Sequence, residues 1–117
     1  MTSERPVSTP TVRLGEEVVD LSRRIIVVGP HDDALDAQVH AAGIVDLGRA
    51  SAAMLRRLPE LAAGPRPVAM TFDADQLPEL ALAVVRGCRV VRVVDVDAAA
   101  KVCRMVEALL DAEPEGS

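Results

Sequence analysis

The most informative segment of the chain runs Arg89-Val90-Val91-Arg92-Val93-Val94-Asp95-Val96-Asp97 and continues into a helical pattern from Ala98 to Leu110. The valine-rich part is typical of a strand that is apolar on both faces, and such strands occur in parallel sheets covered on both sides. The helical stripe consists of Ala99, Val102, Cys103, Val106, Leu109 and Leu110. Arg92 stands inside the predicted strand. Because an unpaired buried guanidinium is costly, we expect it to meet a carboxylate or a ligand.

Strands and helices alternate through the rest of the chain as well. A hairpin is predicted over Thr11 to Leu21, with its turn at Gly15-Glu16. Further strands are predicted at Arg24 to Val28, Ile44 to Leu47 and Val68 to Phe72. The helices between them are predicted to begin near Asp32 or Asp33, near Ala50, and near Asp73 or Asp75, where aspartates are typical N-caps. Pro59 predicts a kink or break in the second of these helices. Four consecutive βα units imply an α/β fold with a parallel sheet and right-handed crossovers.

Composition excludes several classes of function. The 117 residues carry 13 basic and 18 acidic side chains, a net charge of −5, and a single aromatic residue, Phe72. Nucleic-acid binding normally needs a basic face, so we expect no nucleic-acid partner. No apolar run is long enough to cross a bilayer, and Met1–Pro10 lacks a signal-like stretch, so we expect no membrane partner and a cytoplasmic location. Cys88 and Cys103 lie in apolar surroundings and are expected to be reduced core residues.

The predicted domain organisation is simple. Residues 11–112 are expected to form one α/β domain, and residues 1–10 and 113–117 are expected to be disordered tails because they are rich in Ser, Pro, Thr and Glu.

Several segments, taken in order, resemble dihydropteroate synthase, the pterin-binding enzyme of folate synthesis. Val12-Arg13-Leu14-Gly15 with Val19-Asp20-Leu21-Ser22-Arg23 resembles the hairpin before the first barrel strand of that family. Ala41-Ala42-Gly43-Ile44-Val45-Asp46-Leu47-Gly48 resembles its second strand. Arg66-Pro67-Val68 resembles its seventh strand, and Leu80 to Leu110 resembles its last helix-strand-helix unit. The resemblance implies a partial TIM-barrel-like fold made of the first two and last two units.

The departures from the family pattern bear on activity. The asparagine motif that ends the family's first strand is replaced by Val27-Val28-Gly29-Pro30-His31-Asp32, and Val94 stands where the family's last strand has histidine. The units that carry the family's other pterin-binding aspartates and its asparagine have no counterpart. Since positioning and electrostatic preorganisation supply most of such a barrier, we expect a non-catalytic relative. The alternative is a surviving pterin-binding transferase of folate biosynthesis.

Polar residues near the predicted strand ends are the candidate ligand site. These residues are Asp46, Ser51, Asp73, Arg92 and Asp95. Ligands of α/β folds bind beyond the carboxyl ends of the strands. We expect Arg92 to pair with Asp46 or Asp73, either as a structural ion pair or as a contact to a pterin-like or anionic small molecule.

A second polar cluster consists of His31, Asp33, Asp36 and His40. Asp36 and His40 share a helix face, and imidazoles with carboxylates suit a divalent metal. A small metal-dependent hydrolase is therefore a second alternative, although the same aspartates are equally typical of a helix start. No other cofactor is expected.

A partial barrel leaves sheet edges and an apolar face uncovered. The sheet can flatten into an open three-layer arrangement, or two chains can complete each other. The aliphatic composition favours a homodimer.

Overall fold

The order of elements follows the predicted alternation throughout the part of the chain that the structure, a computed structural model, describes, which is residues 11–112. The hairpin consists of β1 (Thr11–Leu14) and β2 (Glu17–Asp20). The strands of the main sheet are β3 (Ile26–Val28), β4 (Val45–Arg49), β5 (Val68–Thr71) and β6 (Val90–Arg92). The helices are α1 (Asp33–Ala41), α2 (Ala52–Ala62), α3 (Leu77–Val85) and α4 (Val96–Ala112). The expected tails lie outside the described residues.

The main sheet is parallel throughout and has the strand order β3-β6-β5-β4. The chain crosses from β3 at one edge to β4 at the other and then returns strand by strand through β5 to β6. If every crossover is right-handed, crossovers that run in these two directions along the sheet lie on opposite faces of it. Accordingly α1 packs with the hairpin on one face, whereas α2, α3 and α4 pack on the other. The predicted α/β class, the parallel sheet and the hairpin are confirmed.

The core has two layers, one on each face of the sheet. Alternation along β5 divides it, because Val68 and Met70 point to the three helices while Ala69 points to the hairpin and α1. Leu21, Val39 and Val90 are buried in the smaller layer, and Phe72 is buried in the larger one. All three apolar residues of β5 are therefore buried, as in other parallel strands covered on both faces.

In the segment from Arg89 to Leu110, the strand is shorter and the helix is longer than predicted. The strand β6 ends at Arg92, and Val94 is exposed rather than buried in the sheet. Asp95 explains the early helix start, because its carboxylate accepts a hydrogen bond from the Ala98 backbone N–H at 3.1 Å. That contact caps the first turn of α4 two residues before the predicted start at Ala98.

Of the two outcomes predicted for Pro59, a break in the helix is wrong, because α2 runs without interruption across this residue, and a kink stays a prediction. A proline removes the N–H that would bond to the carbonyl four residues earlier, here that of Leu55. The Arg86 guanidinium at the end of α3 donates to this Leu55 carbonyl at 2.8 Å. A side chain from a neighbouring helix thus satisfies the acceptor that the proline leaves open.

Both cysteines are free and buried, as predicted. Burial raises the pKa of Cys88 to about 12 and that of Cys103 to about 11. Their thiols therefore stay protonated at neutral pH.

None of the helices within residues 11–112 has the length and the hydrophobicity that a bilayer span requires.

Candidate functional site

The strand order creates a crevice at the carboxyl end of the sheet, between β3 and β6. After β3 the chain turns to the hairpin face and forms α1, whereas after β6 it turns to the opposite face and forms α4. Adjacent strands whose following connections leave in opposite directions define a topological switch point, which is where open α/β sheets bind ligands. The fold thus identifies one preferred location for a site.

Arg92 lies at this switch point as the last residue of β6. Its Nε donates to Asp36 Oδ1 of α1 at 2.7 Å, and its NH1 donates to Asp46 Oδ2 of β4 at 2.9 Å. Partial burial by itself would lower the pKa of Arg92, but the hydrogen bonds and charges of Asp36 and Asp46 outweigh it and raise the pKa. Two carboxylates therefore hold one cation in a fixed position between the sheet and α1.

The register of the sheet explains how Arg92 reaches Asp46 across a whole strand. Asp46 pairs with Ala69 in β5, and Ala69 pairs with Val90 in β6, so these residues form one row on the hairpin face. Neighbouring strands lie about 4.8 Å apart, so the arginine side chain spans about 10 Å above β5. The fully buried Ala69 has only a methyl group at the centre of this row. Arg92 itself pairs with Thr71 and lies two residues after Val90, so its side chain points to the same face of the sheet.

The second arginine of the site is Arg49, at the end of β4. Its NH1 donates to Asp73 Oδ1, which follows β5. Asp73 or Asp75 was predicted to cap α3, but Gln76 occupies that position, and its Oε1 accepts a hydrogen bond from the Asp73 backbone N–H at 2.9 Å. The carboxylate of Asp73 is thereby left to Arg49 at the mouth of the crevice.

The crevice contains an open cleft of about 280 Å³. The loop after β3 forms one wall, where Asp32 Oδ2 accepts a hydrogen bond from the Gly29 backbone N–H at 2.8 Å. A Cβ at Gly29 would lie 2.5 Å from Val96 Cγ2, so any larger residue there would require Val96 to move. The lining carries four carboxylates and two guanidiniums, contributed by Asp32, Asp33, Asp36, Asp73, Arg49 and Arg92. The cleft is therefore net negative, and both of its cations are already paired.

The structure brings together some of the predicted ligand residues and separates others. Asp46 and Arg92 are in direct contact, which is the first of the two pairings predicted for this arginine. Asp73 lines the same cleft but pairs with Arg49. Ser51 caps α2, since its Oγ accepts from the Met54 backbone N–H at 3.2 Å, and Asp95 caps α4. Both of these side chains have a local structural role outside the cleft.

The predicted metal cluster is spread along α1. His31 precedes the helix, Asp33 and Asp36 lie in its first turn, and His40 lies in its last turn. At 1.5 Å rise per residue, Asp33 and His40 are about 10 Å apart along the axis. Within residues 11–112 no group of three histidine, cysteine, aspartate or glutamate side chains is close enough to hold a metal ion.

Asp36 and Arg49 are site residues for which the sequence suggested other roles or none. Asp36 was assigned to the metal cluster, because its spacing to His40 suggested a shared helix face. Its contact with Arg92 joins residues 56 positions apart in the chain. Only the packing of α1 against the hairpin face of the sheet creates that contact. For Arg49, the available signal was its position directly after a predicted strand end.

Comparison of the chain with protein-family models, with curated proteins and with solved structures gives no match.

Proposed function

We propose that this chain is a non-catalytic, dihydropteroate synthase-like binding protein, and that its small-molecule ligand occupies the cleft between β3 and β6. The pairing of Arg92 with Asp36 and Asp46 beside that cleft is the observation that carries the proposal. It fixes charged groups in place before a ligand arrives, which lowers the entropic cost of binding. Asp46 and Arg92 also lie in the two segments that resemble the family's second and last strands.

The charge of the cleft selects the kind of ligand. An anion would have to displace a carboxylate from Arg49 or Arg92, because both guanidiniums are already paired. A ligand that presents N–H groups or a positive charge can instead bind to carboxylate oxygens, which accept several hydrogen bonds each. We therefore propose a ligand rich in N–H donors, such as the amino-oxo ring of a pterin, in preference to a phosphate or a carboxylic acid.

The size of the cleft agrees with this class of ligand. Its 280 Å³ lies near the lower end of the usual range of small-molecule sites, about 300–1,000 Å³. A bicyclic ring fits that volume better than a ring joined to a long tail does. The partial-barrel ancestry belongs to the same proposal. The pairing of β6 with both β3 and β5 resembles that of a barrel's last strand with its two neighbours, whereas the edge position of β4 and the packing of helices on both faces differ from a barrel.

We also propose a cytoplasmic location. Cysteines are usually reduced in the cytoplasm, and both cysteines of this chain are free and buried.

Titration with a panel of small molecules tests the proposed ligand class. We expect 6-hydroxymethylpterin to bind and to shift the backbone amide resonances of Gly29, Asp36, Phe72 and Val93, which line the cleft. Aminobenzoate and pyrophosphate are the anionic comparisons and should bind at least about tenfold more weakly. Binding of pyrophosphate alone would contradict the donor-rich class. No shift with any compound would contradict the binding function itself.

Matched aspartate variants locate the binding. Asp36→Asn removes the charge of a cleft residue, and Asp75→Asn makes the same change at an exposed residue outside the cleft lining. We expect the first variant to lose pterin affinity about tenfold and the second to keep it. Equal affinities would place the ligand elsewhere.

A turnover assay separates the proposal from its enzymatic alternative. The full chain is mixed with a pterin alcohol diphosphate, aminobenzoate and Mg²⁺, and the condensation product is measured by chromatography. We expect no product above the uncatalysed background. Product formed at a rate typical of enzymes, about 1 s⁻¹ or more, would show that the chain is a transferase.

A further inference from the structure

A second open groove lies where the strands of the main sheet begin, at the opposite end from the cleft. It has a volume of about 700 Å³. We call it the amino-edge groove, and its lining consists of residues 21–22 before β3, residues 62–67 before β5, and Gly87 and Arg89 before β6. The charged side chains of this lining are those of Arg66 and Arg89, and no carboxylate of residues 11–112 belongs to it.

The two arginines precede neighbouring strands. The Arg89 backbone N–H donates to the Val68 carbonyl at 3.4 Å, where β6 begins beside β5, and Arg66 lies two residues before Val68. Two residues span at most about 7 Å and neighbouring strands lie about 4.8 Å apart, so the two arginine Cα atoms lie within about 12 Å of each other. Pro67 also restricts the backbone of Arg66 to few conformations. The two side chains therefore start close enough to contact one small ligand.

Arg89 is held in position by the end of α3. Its NH1 donates to the Val84 carbonyl at 2.8 Å and to the Cys88 carbonyl at 3.1 Å. A guanidinium has five N–H donors, and the donors on Nε and NH2 have no hydrogen-bond partner among residues 11–112. Burial lowers the pKa of Arg89, because water solvates its charge incompletely. An anion beside the remaining donors would replace the solvation that burial removes.

Neither arginine forms an ion pair with a carboxylate in the described part of the chain, although four other arginines do. Glu107 is near enough to stabilise the charge of Arg89. Its two carboxylate oxygens, however, already accept hydrogen bonds from Arg104 and from the Ile25 backbone N–H. The charge of Glu107 is thus shared with Arg104, and Arg89 keeps donors that no carboxylate uses.

Other negative groups near the groove offset its positive charge only in part. Asp20, which accepts a hydrogen bond from Ser22 of the groove, has Arg23 as its neighbouring cation. The carboxyl ends of α2 and α3 also point to the groove, since Ala63 directly follows α2 and Gly87 lies two residues after α3. Each helix end is equivalent to about −0.5 charge, so the two ends together offset about one of the two arginine charges. The amino-edge groove is left with a net charge of about +1.

We propose that the amino-edge groove binds the oxyanion group of a small molecule, a phosphate or a carboxylate, between Arg66 and Arg89. A guanidinium can bind such a group through two parallel N–H···O bonds, and charge-assisted hydrogen bonds are about twice as strong as neutral ones. A nucleic acid is a poor ligand, because the chain has a net charge of −5. The site is independent of the ligand proposed for the cleft, since the two lie at opposite ends of the strands.

NMR titrations of the full chain with inorganic phosphate and with succinate, in a buffer of low ionic strength, test the site. At least one of the two anions should shift the backbone amide resonances of Arg66, Gly87 and Arg89, with half-saturation at about 0.1–10 mM. The resonances of Gly29 and Asp36, which line the cleft, should stay in place. A response to phosphate alone would support a phosphate-bearing ligand, and a response to succinate alone would support a carboxylic acid.

Matched arginine variants locate the anion. Arg66→Gln removes an exposed guanidinium from the groove, and Arg57→Gln makes the same change at an exposed residue of α2 outside the lining. We expect the first variant to bind the anion about tenfold more weakly and the second to bind it like the wild type. Arg89→Lys keeps the positive charge but removes the two-pronged donor, and it should also weaken binding. Circular dichroism of the three variants checks that each is folded.

Two results would overturn the proposal. One is the absence of shifts at the amino-edge groove with either anion at concentrations up to about 50 mM, which is well above the expected half-saturation. The other is equal affinity in Arg66→Gln and Arg57→Gln, which would assign the shifts to a general effect of ions on the protein. Pterin binding in the cleft would be unaffected by either result, so a failure of this site and a failure of the proposed function are distinguishable.

Discussion

At the scale of single residues, the arginine of the last strand is the centre of the site. Arg92 is 22% exposed at its side chain, while Asp36 and Asp46 are about half exposed. Exposed ion pairs contribute about 0–1 kcal/mol to stability, and breaking a buried one costs about 3–5 kcal/mol. The stability contribution of this partly buried arrangement lies between these two values, because solvent screens the half-exposed carboxylates of Asp36 and Asp46.

We expect Arg92→Gln to lower the free energy of unfolding by about 1–2 kcal/mol, because it leaves two carboxylates facing each other without their cation. Urea unfolding followed by circular dichroism measures the change. Arg49→Gln is the comparison, since Arg49 and Asp73 form a more exposed pair, and it should cost at most about 1 kcal/mol. Equal losses of unfolding free energy in the two variants would show that the burial of Arg92 does not strengthen its ion pairs.

A second prediction at this scale concerns Asp20, at the end of β2. Its Oδ1 accepts hydrogen bonds from Ser22 Oγ at 2.6 Å and from the Ser22 backbone N–H at 2.9 Å, and these bonds lower the pKa of Asp20. Because the folded pKa lies below the unfolded one, this contact stabilises the fold above the unfolded pKa. The stabilisation is lost as the pH falls through the folded pKa.

We expect Ser22→Ala to raise the pKa of Asp20 towards its ordinary value. The substitution removes the hydrogen bond from Ser22 Oγ, which lowers this pKa more than the backbone hydrogen bond does. An NMR titration of the side-chain carboxyl carbon between pH 2 and 6 measures it. Ser51→Ala removes a hydroxyl from a distant helix cap and should leave the titration of Asp20 unchanged. An unaltered pKa in Ser22→Ala would mean that the backbone N–H alone accounts for the shift.

At the scale of elements, helix α2 stays continuous because a neighbouring helix compensates for its proline. The Leu55 carbonyl, which has lost its helical donor at Pro59, accepts from Arg86. A buried or half-buried acceptor without a partner costs about 1–3 kcal/mol. The cost of removing Arg86 should therefore depend on whether residue 59 has a backbone N–H.

A double-mutant cycle tests this dependence. Arg86→Met should lower the free energy of unfolding by about 1–2 kcal/mol in the wild-type chain. It should cost less in the Pro59→Ala background, where the restored helical N–H bonds to Leu55. The expected coupling energy is about 1 kcal/mol. Additive effects of the two changes, measured by urea unfolding, would contradict the compensation.

At the scale of the whole molecule, the hairpin is part of the core rather than an appendage. Val12, Leu14, Val19 and Leu21 pack with Val28, Ala69 and Val90 and so cover, together with α1, the face of the sheet opposite the three other helices. A parallel sheet needs cover on both faces because its strands are apolar on both. In this chain one helix is too little to supply that cover.

We expect Leu21→Ala to lower the free energy of unfolding by about 2–5 kcal/mol, because Leu21 is fully buried between the hairpin and the sheet. Val18→Ala, a truncation on the exposed side of the same hairpin, should change stability by less than about 0.5 kcal/mol. Thermal or urea unfolding of both variants gives the comparison. Similar small losses would mean that the hairpin does not seal this face.

Several features follow from the sequence alone because they depend on neighbours along the chain. The valine-rich strands, the helical stripe of α4 and the glycine turn between β1 and β2 are local patterns, and each appears close to its predicted position. The same holds for the two reduced cysteines, which their apolar surroundings indicated. The predicted boundaries of β6 and α4 were wrong because Val93, Val94 and Val96 suit a strand, whereas the carboxylate of Asp95 starts a helix there.

The order of the strands and the partners of Arg92 were decided only by tertiary structure. Which strands become neighbours depends on the face that each crossover takes, and this places β3 beside β6 and α1 alone with the hairpin. The contact between Asp36 and Arg92 follows from that placement, since it joins two elements 56 residues apart. Local patterns carry the periodicity of each element, but long-range pairing is set by how the faces of all the elements are buried together.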